Sequence, residues 1–273
     1  MTSARDRALA IVELLAHHVP GLPMSEIADQ LDIPRSAVHR VLADLKDTGY
    51  IKQDPRTAHY RLTVKLASLG LSYLAASGLT DATQPLLDDL AEASAELVRL
   101  AVIEDDQLIW VAKAQGARGG LRYDPDAGAD VYLPATANGL AWLAAVGDER
   151  ALELISSQGM DRIREHGPGA PQSLKALMAQ IEQTRERGYA AVFDAYEAGT
   201  SAMATVVRAD EAGAPIATVS IAGPSIRMTE ARMQALAPVL QQCALELGMA
   251  SRSSPVFSAA ARDAGAAPRS PQT

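Results

Sequence analysis

Apolar positions recur at helical spacing through the first fifty residues, and the period then changes. Residues 4–18 ("ARDRALAIVELLAHH") predict a helix with Leu9, Val12, Leu15 and Ala16 at helical spacing. "VPGLPM", with two prolines and a glycine, stops it. "SEIADQLDI" predicts a second helix, N-capped by Ser25, with Ile27, Ala28 and Leu31 on one face. After a very short break a third helix runs from Pro34, which suits a first turn, to about Thr48, with Gly49 closing it. Val38, Val41, Leu42 and Leu45 form its apolar stripe, at the i, i+3, i+4, i+7 spacing of a core-facing helix. Ser36, His39, Arg40 and Ala43 fall on the opposite face, with Arg35 at the boundary.

Beyond Gly49 two short extended runs, "YIKQ" and "HYRLT", flank the turn-forming "DPRTA" and predict a small hairpin. Residues 64–79 return to helical spacing and predict a connecting helix. The next stretch predicts a helix from Asp81 to Ala95 and then strand, acidic turn and strand in "ELVRLAVIEDDQLIWVAKAQG". "GADVYLPATANGLAWLAAVG" leads from an extended segment into a helix, and "SLKALMAQIEQTRERG" is an amphipathic helix between Ser173 and Gly188. A second hairpin, turning at Asp210 to Gly213, precedes a last helix that contains Pro238. Helices before, between and after two hairpins predict an α+β domain around an antiparallel sheet. From residue 251 onward Ala, Ser, Pro and Gly dominate, which predicts a disordered tail.

Composition narrows the function classes. Of 273 residues, 48% are apolar and 21% charged, the balance of a globular protein with a real core. One cysteine, Cys243, excludes an internal disulfide framework and points to a cytoplasmic setting. The N-terminal apolar stretch is too short to span a bilayer and lacks a signal-peptide pattern, so no membrane partner is expected. The net charge is -8, yet residues 34–65 carry seven Lys or Arg against three Asp. A basic segment in an acidic chain is an electrostatic footprint for phosphate. Three helices with a short break, a cationic outward face and a basic hairpin carrying Arg56, His59 and Arg61 form the pattern of a winged helix-turn-helix.

The stretch "RALAIVELLAHH…LPMSEIADQLDIPRSAVHRVLADLKDTGYIKQDPRTAHYRLT" resembles the N-terminal domain of the IclR family of bacterial transcriptional regulators. "PRSAVHRVL" is similar to the family's recognition helix, with Ala37 where the family has threonine and Ala58 where its wing turn has glycine. The DNA-contacting set that follows is Ser25, Arg35, Ser36, Ala37, His39, Arg40, Arg56, His59 and Arg61. "GADVYLPATANGLAWLA", "RERGYAAVFDAYEAGTSAMATVV" and "ATVSIAGPSIRM" extend the resemblance to about residue 250. It implies a GAF-like effector domain for small organic acids, with pocket residues Ala135, Thr136, Ala137, Asp194, Ser201, Ala202 and Ser220. The hydroxyls of Thr136, Ser201 and Ser220 are the expected donors to a carboxylate. Arg122 is either a bidentate clamp for that acid or a solvated loop arginine, and spacing leaves both open. Pro134, Leu140, Ala202, Val206 and Ala222 replace residues of greater polarity or constraint in the family, which favours an aromatic or longer carboxylated effector.

Catalytic signatures are missing from the sequence. The five histidines are scattered away from Cys or Asp at metal-ligand spacing, and there is no nucleophile elbow, Walker loop or dinucleotide fingerprint. Cys243 sits beside Leu240, Ala244 and Leu247 at core-helix spacing. No enzyme activity, cofactor or metal is expected. The expected architecture is a winged helix-turn-helix over 1–63, a linker helix over 64–79, an effector domain over 80–250 and a tail over 251–273. The expected function is an effector-responsive regulator acting on a double-stranded DNA operator as a dimer or dimer of dimers. The alternative is a GAF-like small-molecule-binding or catalytic protein whose N-terminal unit docks a protein partner.

Overall fold

The computed structural model describes residues 3–76, 78–123, 131–210 and 213–251, in two compact units that divide after Ala76. The expected tail beyond Ser251 and the tip of the 210–213 turn lie outside the described residues. Among the described residues no helix is long and apolar enough to cross a membrane.

In the first unit α1 (Ala4–Ala16) starts at a capping box, with the Ser3 hydroxyl accepting from the Asp6 N–H and the Asp6 carboxylate accepting from the Ser3 N–H. Its buried residues are Ile11 and Leu15; of the expected stripe Leu15 is buried and Val12 half-buried, while Ala16 is exposed and Leu9 is 57% exposed. Almost every position from 8 to 16 is apolar, so several stripes satisfy helical spacing and packing alone chooses among them. The second helix, α2 (Met24–Gln30), begins one residue before Ser25. Pro23 is its N-cap, and Ser25 lies half-buried inside the first turn rather than capping it.

The third helix, α3 (Arg35–Asp47), has Pro34 as N-cap and buries Val38, Val41 and Leu42 on the first unit's core with Ile11, Leu15, Ile27 and Ile51. It closes in a Schellman motif: the Tyr50 N–H bonds the Leu45 carbonyl at 2.9 Å and the Gly49 N–H bonds the Lys46 carbonyl at 3.0 Å. Gly49 takes φ +78°, the left-handed conformation this closure requires.

Strands β1 (Ile51–Gln53) and β2 (Tyr60–Leu62) pair antiparallel, Ile51 opposite Leu62, and Leu22 joins Tyr60 through two backbone hydrogen bonds. Asp54 ties the intervening turn by accepting from the Arg56 and Thr57 N–H groups, which hold its carboxyl below the usual carboxylate range. Ala58 stands in the left-handed region, φ +58°, so the turn keeps a glycine-type conformation without a glycine. Helix α4 (Lys65–Ala76) follows, with no side chain buried. It ends three residues before the expected Leu79, and Gly78 takes φ +64°.

The second unit is a five-stranded antiparallel sheet between two layers of helices. Its strands are β3 (Leu97–Glu104), β4 (Gln107–Gln115), β5 (Ala190–Phe193), β6 (Thr200–Arg208) and β7 (Pro215–Pro224), in the order β4-β3-β7-β6-β5. One face packs on α5 (Leu79–Ser94) and α9 (Glu230–Ser251). The other packs on α6 (Ala137–Ala145) and α8 (Leu174–Arg187), with α7 (Asp148–Gln158) beside α6. Covered on both sides, β7 is buried at every position. Two elements were not anticipated from the sequence, α7 and the edge strand β5. The α+β class, the two hairpins and the Ser173 cap of α8, whose hydroxyl accepts from the Ala176 N–H, are as expected.

Relief of the left-handed alanine is measurable. Ala58→Gly removes a cost of about 1–2 kcal/mol for the left-handed backbone and adds about 0.5–1 kcal/mol of glycine entropy. The expected net gain is about 0.5–1 kcal/mol in the denaturant unfolding of the first unit. An unchanged or lowered midpoint contradicts the assignment of strain to Ala58.

Candidate functional site

The first candidate site is the outer face of α3. With Val38, Val41 and Leu42 fixed on the core, geometry sends Arg35, Ser36, His39 and Arg40 to solvent, and all four are exposed. Ala37 does not share that face. It is half-buried and packs against the first unit's core, so the hydroxyl absent at this position is absent from the flank of the helix rather than from its outward face. On the hairpin Arg56 is exposed at the turn, and His59 and Arg61 are half-buried along its second arm. Ser25 is the outlier of the expected set, as a first-turn residue of α2 and not its cap.

The second candidate site is a pocket of about 340 Å³, counted with its open mouth, in the second unit. Arg99, Tyr123, Thr136, Ala137, Asn138, Val192, Tyr196, Thr200, Ser201, Ala202 and Ala222 line it. Of the expected pocket residues, Thr136, Ala137, Ser201 and Ala202 are in the wall. Ala135 is fully buried and outside the lining, and Ser220 is buried in the β3–β7 ladder opposite Arg99.

Asp194 is also outside. Its carboxylate accepts from the Gly199 N–H at 2.7 Å and from the Ser225 hydroxyl at 3.1 Å, so it fastens the loop that carries Tyr196. Arg122 is exposed and is not among the residues that line the pocket.

The hydroxyls expected to donate to a ligand are otherwise engaged. Thr136 caps α6, accepting from the Gly139 N–H at 3.1 Å and giving its own hydrogen to the Tyr132 carbonyl at 2.9 Å. The Ser225 hydrogen goes to Asp194, so in the 2.8 Å contact between the two serines Ser201 is the donor. Ser220 points its hydrogen at the Arg99 carbonyl, 3.4 Å away.

Sequence reasoning missed Tyr123, Asn138, Val192, Tyr196 and Thr200 in the wall, and above all Arg99. It projects from β3 at 8% exposure, its guanidinium carbon 3.8 Å from the centroid of the Trp110 ring and 6.0 Å from that of Tyr123. Its Nε is buried without a hydrogen-bond partner, and no described carboxylate pairs with it. Burial pushes its pKa below the ordinary arginine range, while the nearby Tyr123 and Tyr196 act the other way. The available signal was a lone cation in the apolar run "LVRLAVIE", on a strand sandwiched between layers. Tyr196 reaches the same spot from its loop, edge-on to Trp110 at 6.3 Å and tilted by 35° against His166 at 5.0 Å.

Among the described residues no group of His, Cys, Asp and Glu is arranged to hold a metal. Cys243 is buried in α9 with its thiol pushed up to about 12 by desolvation, which keeps it protonated and inert.

A winged helix-turn-helix followed by an α/β unit with a small pocket defines the class: helix-turn-helix transcriptional regulators with a separate C-terminal domain. The chain belongs to the IclR family. The IclR helix-turn-helix domain matches residues 4–55, and the bacterial transcriptional regulator IclR C-terminal domain matches residues 71–249. The chain is 31% identical to the HTH-type transcriptional regulator BhcR of Paracoccus denitrificans over 91% of its length and 88% of that protein's. It is 27% identical to the transcriptional repressor IclR of Escherichia coli, covering 89% and 88%. Its fold is shared with an IclR-type transcriptional regulator from Alicyclobacillus acidocaldarius (TM-score 0.78, 19% identity, 92% and 99% covered). It is also shared with an IclR homolog from Microbacterium hydrocarbonoxydans complexed with 4-hydroxybenzoate (TM-score 0.72, 22% identity, 90% and 100% covered). These relatives are regulators of transcription, not enzymes.

Thr136→Ala removes the cap of α6 and leaves the Tyr132 carbonyl with only the Ala135 N–H, 3.3 Å away. The expected loss is about 1–2 kcal/mol in denaturant unfolding of the second unit. A loss below a few tenths of a kcal/mol contradicts the capping role.

Proposed function

We propose that the chain is an effector-responsive regulator of a catabolic operon that reads a double-stranded DNA operator through α3 and the β1–β2 wing. The observation that carries this reading is the exposed face of Arg35, Ser36, His39 and Arg40 above the buried stripe of the same helix. A helix held by one face and lined with donors on the other suits a major groove, and the exposed Arg56 on the adjacent turn suits a neighbouring phosphate. In this reading residues 1–63 contact DNA, 64–79 link the units and 80–250 hold the effector.

A single recognition helix covers one half-site, so the acting form is a homodimer or a dimer of dimers on a pseudo-palindromic operator. The effector is a small organic acid, aromatic or of longer chain, taken up by the pocket around Arg99. The 4-hydroxybenzoate held by the Microbacterium homolog supports the acid class. The small side chains Ala137, Ala202 and Ala222 leave room for such a body. The setting is the cytoplasm, where operator and catabolite are both present.

Arg40→Ala tests the reading by mobility shift on the DNA upstream of the protein's own gene. Loss of one base contact weakens specific binding by about tenfold or more, while circular dichroism stays unchanged. Wild-type binding falls steeply with salt, as counterion release requires. Arg40→Ala with an unchanged footprint and affinity refutes the assignment of α3 as the reading helix.

A further inference from the structure

The pocket wall contains one cationic side chain and, among the described residues, no carboxylate. Donor capacity is scarce around it. The hydrogens of Thr136 and Ser201 are engaged with Tyr132 and Ser225, and that of Thr200 goes to the Glu197 carbonyl at 2.7 Å. Of the side chains in the wall, Arg99 carries a buried N–H, its Nε, that has no acceptor. A strand buried on both faces has no reason of packing to carry a guanidinium, and an unpaired charge there is costly unless a counter-charge arrives.

We propose that Arg99 is the anchor for the effector's carboxylate and that the site selects monocarboxylates with a flat apolar body. This rests on the reading of the pocket as the effector site. The Trp110 ring lies 3.8 Å from the guanidinium carbon and holds the cation by its face, the Tyr123 side chain hydrogen-bonds it, and the buried Nε–H remains for a carboxylate. Ala137, Val192, Ala202 and Ala222 provide the apolar walls, and Tyr123 and Tyr196 the flat ones. One cation neutralises one carboxylate. A second carboxylate is buried against those walls without a partner, so dicarboxylates are rejected.

Calorimetry on the full chain with benzoate, 4-hydroxybenzoate, phenylacetate, succinate and the neutral benzamide tests this. The wild type binds at least one of the three ring acids and prefers it to succinate and to benzamide. Arg99→Gln weakens that acid by about thirtyfold or more, the loss for one partner of a buried charge pair, and weakens benzamide, which loses only a bond to a neutral carbonyl, by several-fold less than the acid. Arg99→Lys keeps the charge but loses the planar fork, so the acid weakens by about tenfold. It also decides the matter if Arg99→Gln does not fold. With Trp142→Phe in place Trp110 is the sole tryptophan, and its fluorescence changes on binding the acid.

Unaltered acid affinity in both Arg99 variants overturns the anchor while the organic-acid reading of the pocket stands. Equal loss of acid and benzamide marks Arg99 as structural and likewise overturns the anchor alone. Tighter binding of succinate than of any ring acid overturns the monocarboxylate selection. Binding of benzamide with no binding of any acid overturns both the anchor and the organic-acid reading.

Discussion

Covering both faces of one antiparallel sheet is the constraint from which the second unit follows. With α5 and α9 on one face and α6 and α8 on the other, the inner strands must be apolar or carry polar groups matched within the protein. Thr218 obeys, its hydroxyl receiving the Asn138 amide of α6 at 2.9 Å. Ser220 obeys through the Arg99 carbonyl. The Arg99 side chain does not, and it stands where the helical layer over the sheet leaves a gap between α6 and the 194–200 loop. That gap is maintained by elements fastened for other reasons. Thr136 caps α6, Asp194 braces its loop through Gly199 and Ser225, and the backbone of Gly167 and Gly169 bonds Ala195 and Asp194 so closely that a Cβ at either glycine meets a carbonyl oxygen.

The first unit was the more legible in sequence. In α3 the apolar positions alternate with charged ones, so a single stripe fits and Val38, Val41 and Leu42 are found where spacing puts them. In α1 the neighbouring positions are all apolar, and spacing alone selected Leu9 where packing selected Ile11. A shift of one residue turns a helix face by about 100°. Caps were read well where a side chain makes them, as at Ser173, and less well where a proline precedes the helix, as at Pro23.

In the second unit the strands of the two hairpins were visible, but β5 has four residues at a sheet edge, too few to show a period. The pocket residues that the family resemblance implied and the wall contains, Thr136, Ala137, Ser201 and Ala202, lie at the start of α6 and on β6. Among those missed, Arg99 and Tyr196 come from elements nearly a hundred residues apart that only the fold brings together. Hydroxyl roles were the least legible. Whether Ser201 donates to a ligand or to Ser225 is decided by a contact 24 residues away, and sequence carries no trace of it.

Helix α4 shows how the same physics joins elements within the first unit. None of its side chains is buried there, and Leu71 and Tyr73 are exposed, so its position is not set by an apolar face. It is set by its first turn. Lys65 reaches back to the Thr48 carbonyl at 2.7 Å and lies 4.5 Å over the Tyr50 ring, while the Thr63 hydroxyl bonds the Gly49 carbonyl at 2.7 Å. A cation at the carbonyl end of α3 is where the helix dipole favours it. These contacts fall on the residues that close α3, so the end of that helix and the start of α4 are one rigid corner. The orientation of α4's first turn is therefore fixed relative to the outward face of Arg35, Ser36, His39 and Arg40 by hydrogen bonds rather than by burial.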